Sequence, residues 1–107
     1  MARDVIPERI LLYAPQIGLA PASVKIGSSN TAWGTCTGKN GLIFTWKLMM
    51  APLEVVDYVV VHELAHMREH NHSVRFWKLV EQICPDYRSC KEQLKLLQKK
   101  LDVENWQ

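Results

Sequence analysis

Residues 52–77 read PLEVVDYVVVHELAHMREHNHSVRFW, a stretch that joins a strongly apolar run to all four histidines of the chain. Pro52 suits a helical first turn, and Glu54 is favourably placed near the positive helix end. Leu53 to His70 contains no Gly or Pro, so the spacing predicts a helix here, the longest of the chain. Beyond it Ser73 is an N-cap for a helix carrying Phe76, Leu79, Val80 and Ile83, which Pro85 ends. Tyr87 to Leu101 then reads as a last amphipathic helix.

Upstream of position 50 the pattern is mixed. Val5, Ile6, Ile10, Leu11 and Ile17 recur at helical spacing over residues 4–17, with Pro7 tolerable in a first turn and Pro15 shortening the end. Val24 and Ile26, the region of Trp33, and Leu42-Ile43-Phe44-Thr45-Trp46 after the turn Gly38-Lys39-Asn40-Gly41 read as two or three antiparallel strands. The expected class is α+β, a small twisted antiparallel sheet packed on the histidine-bearing helix, with further C-terminal helices.

With 107 residues, 48% apolar and 22% charged, the chain is expected to be one domain over residues 1–107, with a core that needs no disulfide or structural metal. A net charge of +2 demands no polyanion, so nucleic acid is not indicated. Cys36, Cys84 and Cys90 form no C-x-x-C pair, which fits a reducing compartment. Asp4, Glu8, Pro7 and Pro15 interrupt the N-terminus, so neither a signal peptide nor a membrane span is expected there, and the default location is the cytoplasm.

His62, His66, His70 and His72 fall within eleven residues. Residues four apart on a helix differ by about 40° in direction and about 6 Å in height, so His62 and His66 present two imidazoles to one point. Glu63 stands beside them, about 100° from His62. This is H-E-x-x-H, in which two histidines hold zinc and the glutamate acts on a water at the metal. Catalytic zinc takes three protein ligands and keeps one open position. His70, about 12 Å along the axis from His62 if the helix continues, cannot share the ion without a break. His72 reaches back if the helix ends near Asn71, with Glu81 or Glu92 as carboxylate alternatives. The spacing to His72 equals that of metzincins, but Glu69 occupies their glycine position and no methionine follows Met67 for their Met-turn, which excludes that clan.

Trp33-Gly34-Thr35-Cys36, Gly41 through Trp46, Ala51-Pro52, Val55 through His66, Asn71-His72-Ser73, Phe76-Trp77 and Cys84-Pro85-Asp86-Tyr87 together give the chain its family likeness. It resembles the YgjP-type and SprT-like zinc metallopeptidases, and is similar in size to the minimal soluble members called minigluzincins. The resemblance implies Zn2+ as cofactor, His62, His66 and His72 as its ligands, and Glu63 as general base. It also implies a cleft lined by an edge strand, on or near which Trp33, Gly34, Thr35 and Cys36 lie as substrate-binding candidates. An unfolded protein or peptide would add there as an extra strand, with broad specificity.

Peptide hydrolysis asks for a second oxyanion donor, for which the phenols of Tyr87 and Tyr58 are candidates. Core packing is the plainer role for Trp33, Trp46, Phe76 and Trp77, as is a small buried hydrophobe for Cys36. Asn71-His72-Ser73 matches a glycosylation sequon, but a glycan would crowd the ligand. The tail from Leu101 to Gln107 is expected to block the cleft of its own or a neighbouring chain. Two rival functions follow from the same residues: a protease acting on nucleic-acid-bound proteins, against which the lack of a basic stripe speaks, and a non-catalytic zinc-binding interaction domain closed by a fourth ligand such as Cys36.

Overall fold

In the computed structural model, residues 2–18, 20–27, 33–39 and 41–101 are described. Helix α1 (Ala2–Ile17) leads to strands β1 (Ser23–Gly27), β2 (Gly34–Cys36) and β3 (Gly41–Thr45), then to a 3-10 turn over Trp46–Met50. Helices α2 (Leu53–His66), α3 (Val74–Ile83) and α4 (Tyr87–Leu101) follow.

Helix α1 buries Ile6, Ile10, Ala14 and Ile17, a single stripe at helical spacing, while Leu11 is left 77% exposed, contrary to the expectation that it belongs to the buried face. The helix passes through Pro15 to Ile17. It stops at Gly18, whose φ of 81° is natural to a residue without Cβ and whose N–H donates to the Ala14 carbonyl at 3.0 Å. Arg9 and Tyr13 clamp this helix to α2. The Arg9 guanidinium donates to both carboxylate oxygens of Asp57 at 2.6 and 2.7 Å, and the Tyr13 hydroxyl donates to Asp57 Oδ2 at 2.8 Å.

The sheet has the order β1-β3-β2, and only one of its two pairings is antiparallel. β2 and β3 form an antiparallel pair, whereas β1 runs parallel to β3. The all-antiparallel sheet expected from the sequence is therefore corrected to a mixed one. The reason is topological: β3 returns from β2 and inserts between it and β1, so the first strand meets the third. In register, Ile26, Phe44 and Gly34 form one row and Val24, Leu42 and Cys36 another. Phe44 and Leu42 are buried, while Ile43 with its register partners Lys25 and Thr35 lies on the exposed face.

Helix α2 is central. Every residue from Val55 to Ala65 except Asp57 is buried, because α1, the sheet, α3 and α4 surround it. A helix this apolar all round has no solvent face to offer, so the other elements assemble on it. It is not the longest helix, having 14 residues against 16 in α1, and it ends at His66 rather than His70. Met67 and Arg68 tighten the last turn through N–H bonds to the Leu64 and Ala65 carbonyls, after which the chain leaves the helical path. Arg68 Nη1 donates to the Ile17 carbonyl at 2.9 Å and so ties the departing loop to the negative end of α1.

Ser73 caps α3 by accepting from the Phe76 N–H, and the helix ends at Ile83 just before Pro85, as the sequence indicates. α4 buries Tyr87, Cys90 and Leu94 at i, i+3 and i+7. Among the described residues no helix is long and apolar enough to cross a membrane. Removing the shared acceptor with Asp57→Ala is expected to lower the unfolding free energy by about 2–3 kcal/mol in denaturant titration, because Arg9 and Tyr13 both lose a partly buried partner. The exposed Leu11→Ala control is expected to stay within about 0.5 kcal/mol of the parent.

Candidate metal centre

Helix α2 delivers His62, Glu63 and His66, and the loop of residues 67–73 brings His72 back over them. One ring nitrogen from each of His62, His66 and His72 falls within 4.8 Å of the others. His66 Nε2 and His72 Nε2 stand 3.0 Å apart. Two nitrogens on tetrahedral zinc, each at 2.0–2.1 Å from the ion, lie about 3.3 Å from one another, so small ring movements suffice for the three to share an ion. Three imidazoles are also the donor set that zinc favours in an open site. The residues present fit the metal.

Hydrogen bonds settle the ring orientations. His62 Nδ1 and Glu63 Oε2 are 2.9 Å apart, and with Nδ1–H as donor the lone pair falls on Nε2. His66 Nδ1 similarly faces the Glu69 carbonyl at 3.3 Å. Burial lowers the pKa of His62 well below the ordinary imidazole value, and the electrostatic influence of neighbouring His72 and Lys91 acts in the same direction. Burial also lowers His66, with His62 adding to it. Both rings are therefore neutral at neutral pH, the form a metal requires.

The triad grades from the interior outward: His62 is buried, His66 half-buried and His72 exposed. Phe76 forms its floor, with its ring centroid 5.0, 4.5 and 4.9 Å from those of His62, His66 and His72. Sequence reasoning places Phe76 only in the core. The signal for more was its position, one helical turn after His72, directly behind the Ser73 cap.

Glu63 is 2% exposed and lies against the edge strand. A Cβ at Gly34 would stand 3.0 Å from Glu63 Cγ and 3.1 Å from Phe44 Cδ1, so glycine lets β2 pass this close to the carboxylate side chain without displacing it. Cys36, two residues on, shares that face; burial raises its thiol pKa and the charge of Glu63 raises it further. Thr35 lies on the outer, exposed face. Trp33 is fully buried and packs in the core, so it has no surface for a substrate.

Other candidates fall outside the nitrogen cluster. His70 is exposed, and neither Glu81 nor Glu92 joins the three histidines. Cys36 is not part of the group either. Tyr58 is buried beside His62, ring centroids 5.9 Å apart, and burial raises its phenol pKa. Tyr87 stacks on Trp77 and lines the pocket that opens at His72. Most of the tail assigned to blocking the cleft, residues 102–107, lies outside the described residues.

A central helix bearing H-E-x-x-H, a third histidine returned by a loop and a small sheet alongside define a metallopeptidase fold. A sequence profile described as the YgjP-like metallopeptidase domain matches residues 1–96, and the chain belongs to this family. Among solved structures, the metallopeptidase zymogen abylysin of Pyrococcus abyssi is similar, with a TM-score of 0.69 and 26% identity over 97% of this chain and 98% of that one. A search of curated proteins finds no match.

Gly34→Ala is expected to lower the unfolding free energy by about 1–3 kcal/mol, since Glu63 or Phe44 has to move. Gly38→Ala, whose added Cβ meets nothing within 4 Å, is the matched control and is expected to change stability by less than about 0.5 kcal/mol in the same denaturation assay.

Proposed function

We propose that this metallopeptidase is a zinc-dependent endopeptidase in which His62, His66 and His72 hold the ion and Glu63 is the general base. The observation that carries this reading is the convergence of three imidazole nitrogens beside a buried glutamate that the edge strand presses upon. When bound, zinc supplies Lewis acidity, polarising a carbonyl and lowering the pKa of a water to about 7. Glu63 accepts the proton of the attacking water at its carboxylate and returns it to the leaving amine. Its contact with His62 Nδ1 holds the imidazole in one orientation. Peptide backbone is expected to pair along the outer edge of β2, near Gly34, Thr35 and Cys36. Tyr87, the oxyanion candidate, lines the pocket that opens beside His72 but stacks beyond Trp77, a position that favours it as pocket wall over oxyanion donor.

The preferred substrates are peptides and unfolded proteins, because strand addition reads main chain rather than side chains. The three free cysteines favour a cytoplasmic setting. The rival reading as a closed zinc-binding module loses support because, among the described residues, no fourth donor joins the histidines. The nucleic-acid-linked rival loses support from a net charge of only +2. Self-association stays within the proposal only through the tail.

Metal content by mass spectrometry and casein cleavage, run on the same samples, test the mechanism. Glu63→Gln keeps an oxygen for His62 and is expected to retain one zinc while losing about 10²-fold or more in turnover. His72→Ala is expected to lose both zinc and turnover. Cleavage by Glu63→Gln at the parental rate would sink the general-base assignment. We further propose that residues Leu101–Gln107 hold the protein latent, a reading supported by its likeness to a structure described as a zymogen. Truncation after Lys100 is then expected to raise casein cleavage severalfold, and unaltered cleavage would discard the tail as an inhibitor.

A further inference from the structure

A ladder of stacked rings leaves the metal centre at His72. Trp77 stacks on His72 with centroids 5.9 Å apart and planes at 26°, and Tyr87 stacks on Trp77 at 5.2 Å and 23°. Two cations sit on these rings. Lys91 Nζ is 4.7 Å from the centre of Trp77, and the Arg88 guanidinium carbon is 5.5 Å from the centre of Tyr87. Cation–π attraction holds long side chains that would otherwise sweep through solvent, so their charges occupy defined positions beside the cleft.

Two open pockets meet along this ladder. One, of about 330 Å³, begins at His72 and reaches Arg88; the other, of about 380 Å³, continues from Arg88 to Lys91. Trp77, Tyr87 and Arg88 line both, so the two form one continuous surface. Its charged lining is Lys78, Arg88, Lys91 and Lys95 against Glu81 and Glu92. Glu92 is taken up by Lys95 at 3.8 Å. Among the described residues neither Arg88 nor Lys91 has a carboxylate within 4 Å.

We propose that this wall is a carboxylate-recognising subsite, with Arg88 and Lys91 as its specificity-determining residues and Trp77 and Tyr87 packing the apolar stem of the bound residue. The proposal rests on the peptidase reading for its ligand, a peptide, and adds the class of residue selected. Two stacking steps of 5.9 and 5.2 Å from His72 to Tyr87 correspond to no more than about three residues of extended chain at ~3.3 Å each. The Arg88 guanidinium lies a further 5.5 Å from the Tyr87 ring, so the carboxylate lies within about five residues of the scissile bond. An aspartate or glutamate side chain and a free chain terminus present the same chemistry to an Arg and a Lys.

Binding to the zinc-loaded Glu63→Gln variant, measured by calorimetry, separates recognition from cleavage. The probes are an eight-residue peptide scanned with single glutamates, its glutamine counterparts, and each with a free or amidated C-terminus. One glutamate position, or the free terminus, is expected to bind about tenfold or more tightly than its neutral counterpart, and to weaken with added salt. Which of the two gives the effect identifies the source of the carboxylate. Adding Arg88→Gln and Lys91→Gln is expected to abolish the preference, with circular dichroism unchanged. Arg88→Glu with Lys91→Glu is expected to reverse it in favour of lysine peptides.

Equal affinity for acidic and neutral peptides, no binding of either, or a preference that survives both glutamine substitutions overturns the subsite. Acid-selective binding by a protein whose parental form cleaves no peptide supports the subsite and overturns only the hydrolytic reading.

Discussion

The polar cluster of this protein is built on a helix with almost no solvent face. From Val55 to Ala65 only Asp57 escapes full burial, so His62 and Glu63 sit in the core among valines. Groups of this kind are costly to bury unless they are neutral or engage one another. Here the imidazole is held neutral by burial and shares a hydrogen bond with the neighbouring carboxyl group. The remainder of the architecture serves that arrangement: α1 is clamped to α2 through Asp57, and β2 reaches Glu63 through a residue without a side chain.

Burial also shapes what each group can do. Glu63 is shielded from bulk water, while His72, the outermost of the three histidines, leaves one side of the cluster open. Phe76 packs against all three rings, and exposure rises across the site from His62 to His72. The aromatic ladder beyond His72 continues the same packing into the surface, with cations on its rings in place of apolar neighbours.

The cap and break of α3 and the amphipathic character of α4 were legible in the sequence because Ser73, Pro85 and helical periodicity act locally. The end of α2 was not. No proline or glycine marks it, and the stop at His66 comes with the Arg68 bond to the Ile17 carbonyl, a partner 51 positions away. Strand direction was equally hidden. Val24, Ile26, Leu42 and Phe44 show which faces are apolar, but alternation is the same whether a neighbour runs parallel or antiparallel.

By itself the sequence determined the class of the fold, the helix carrying H-E-x-x-H and the pairing of His62 with His66, since helical periodicity alone puts residues four apart on one face. The sequence already favoured His72 over His70 and core packing for Trp33; only the tertiary structure decided that the loop does return His72 to the two helical histidines, that Gly34 makes room for Glu63, and that Arg88 and Lys91 stand on rings beside the site. Each of these depends on where a loop or a separate element returns in space. That return is set by packing between distant parts of the chain, which no local pattern encodes.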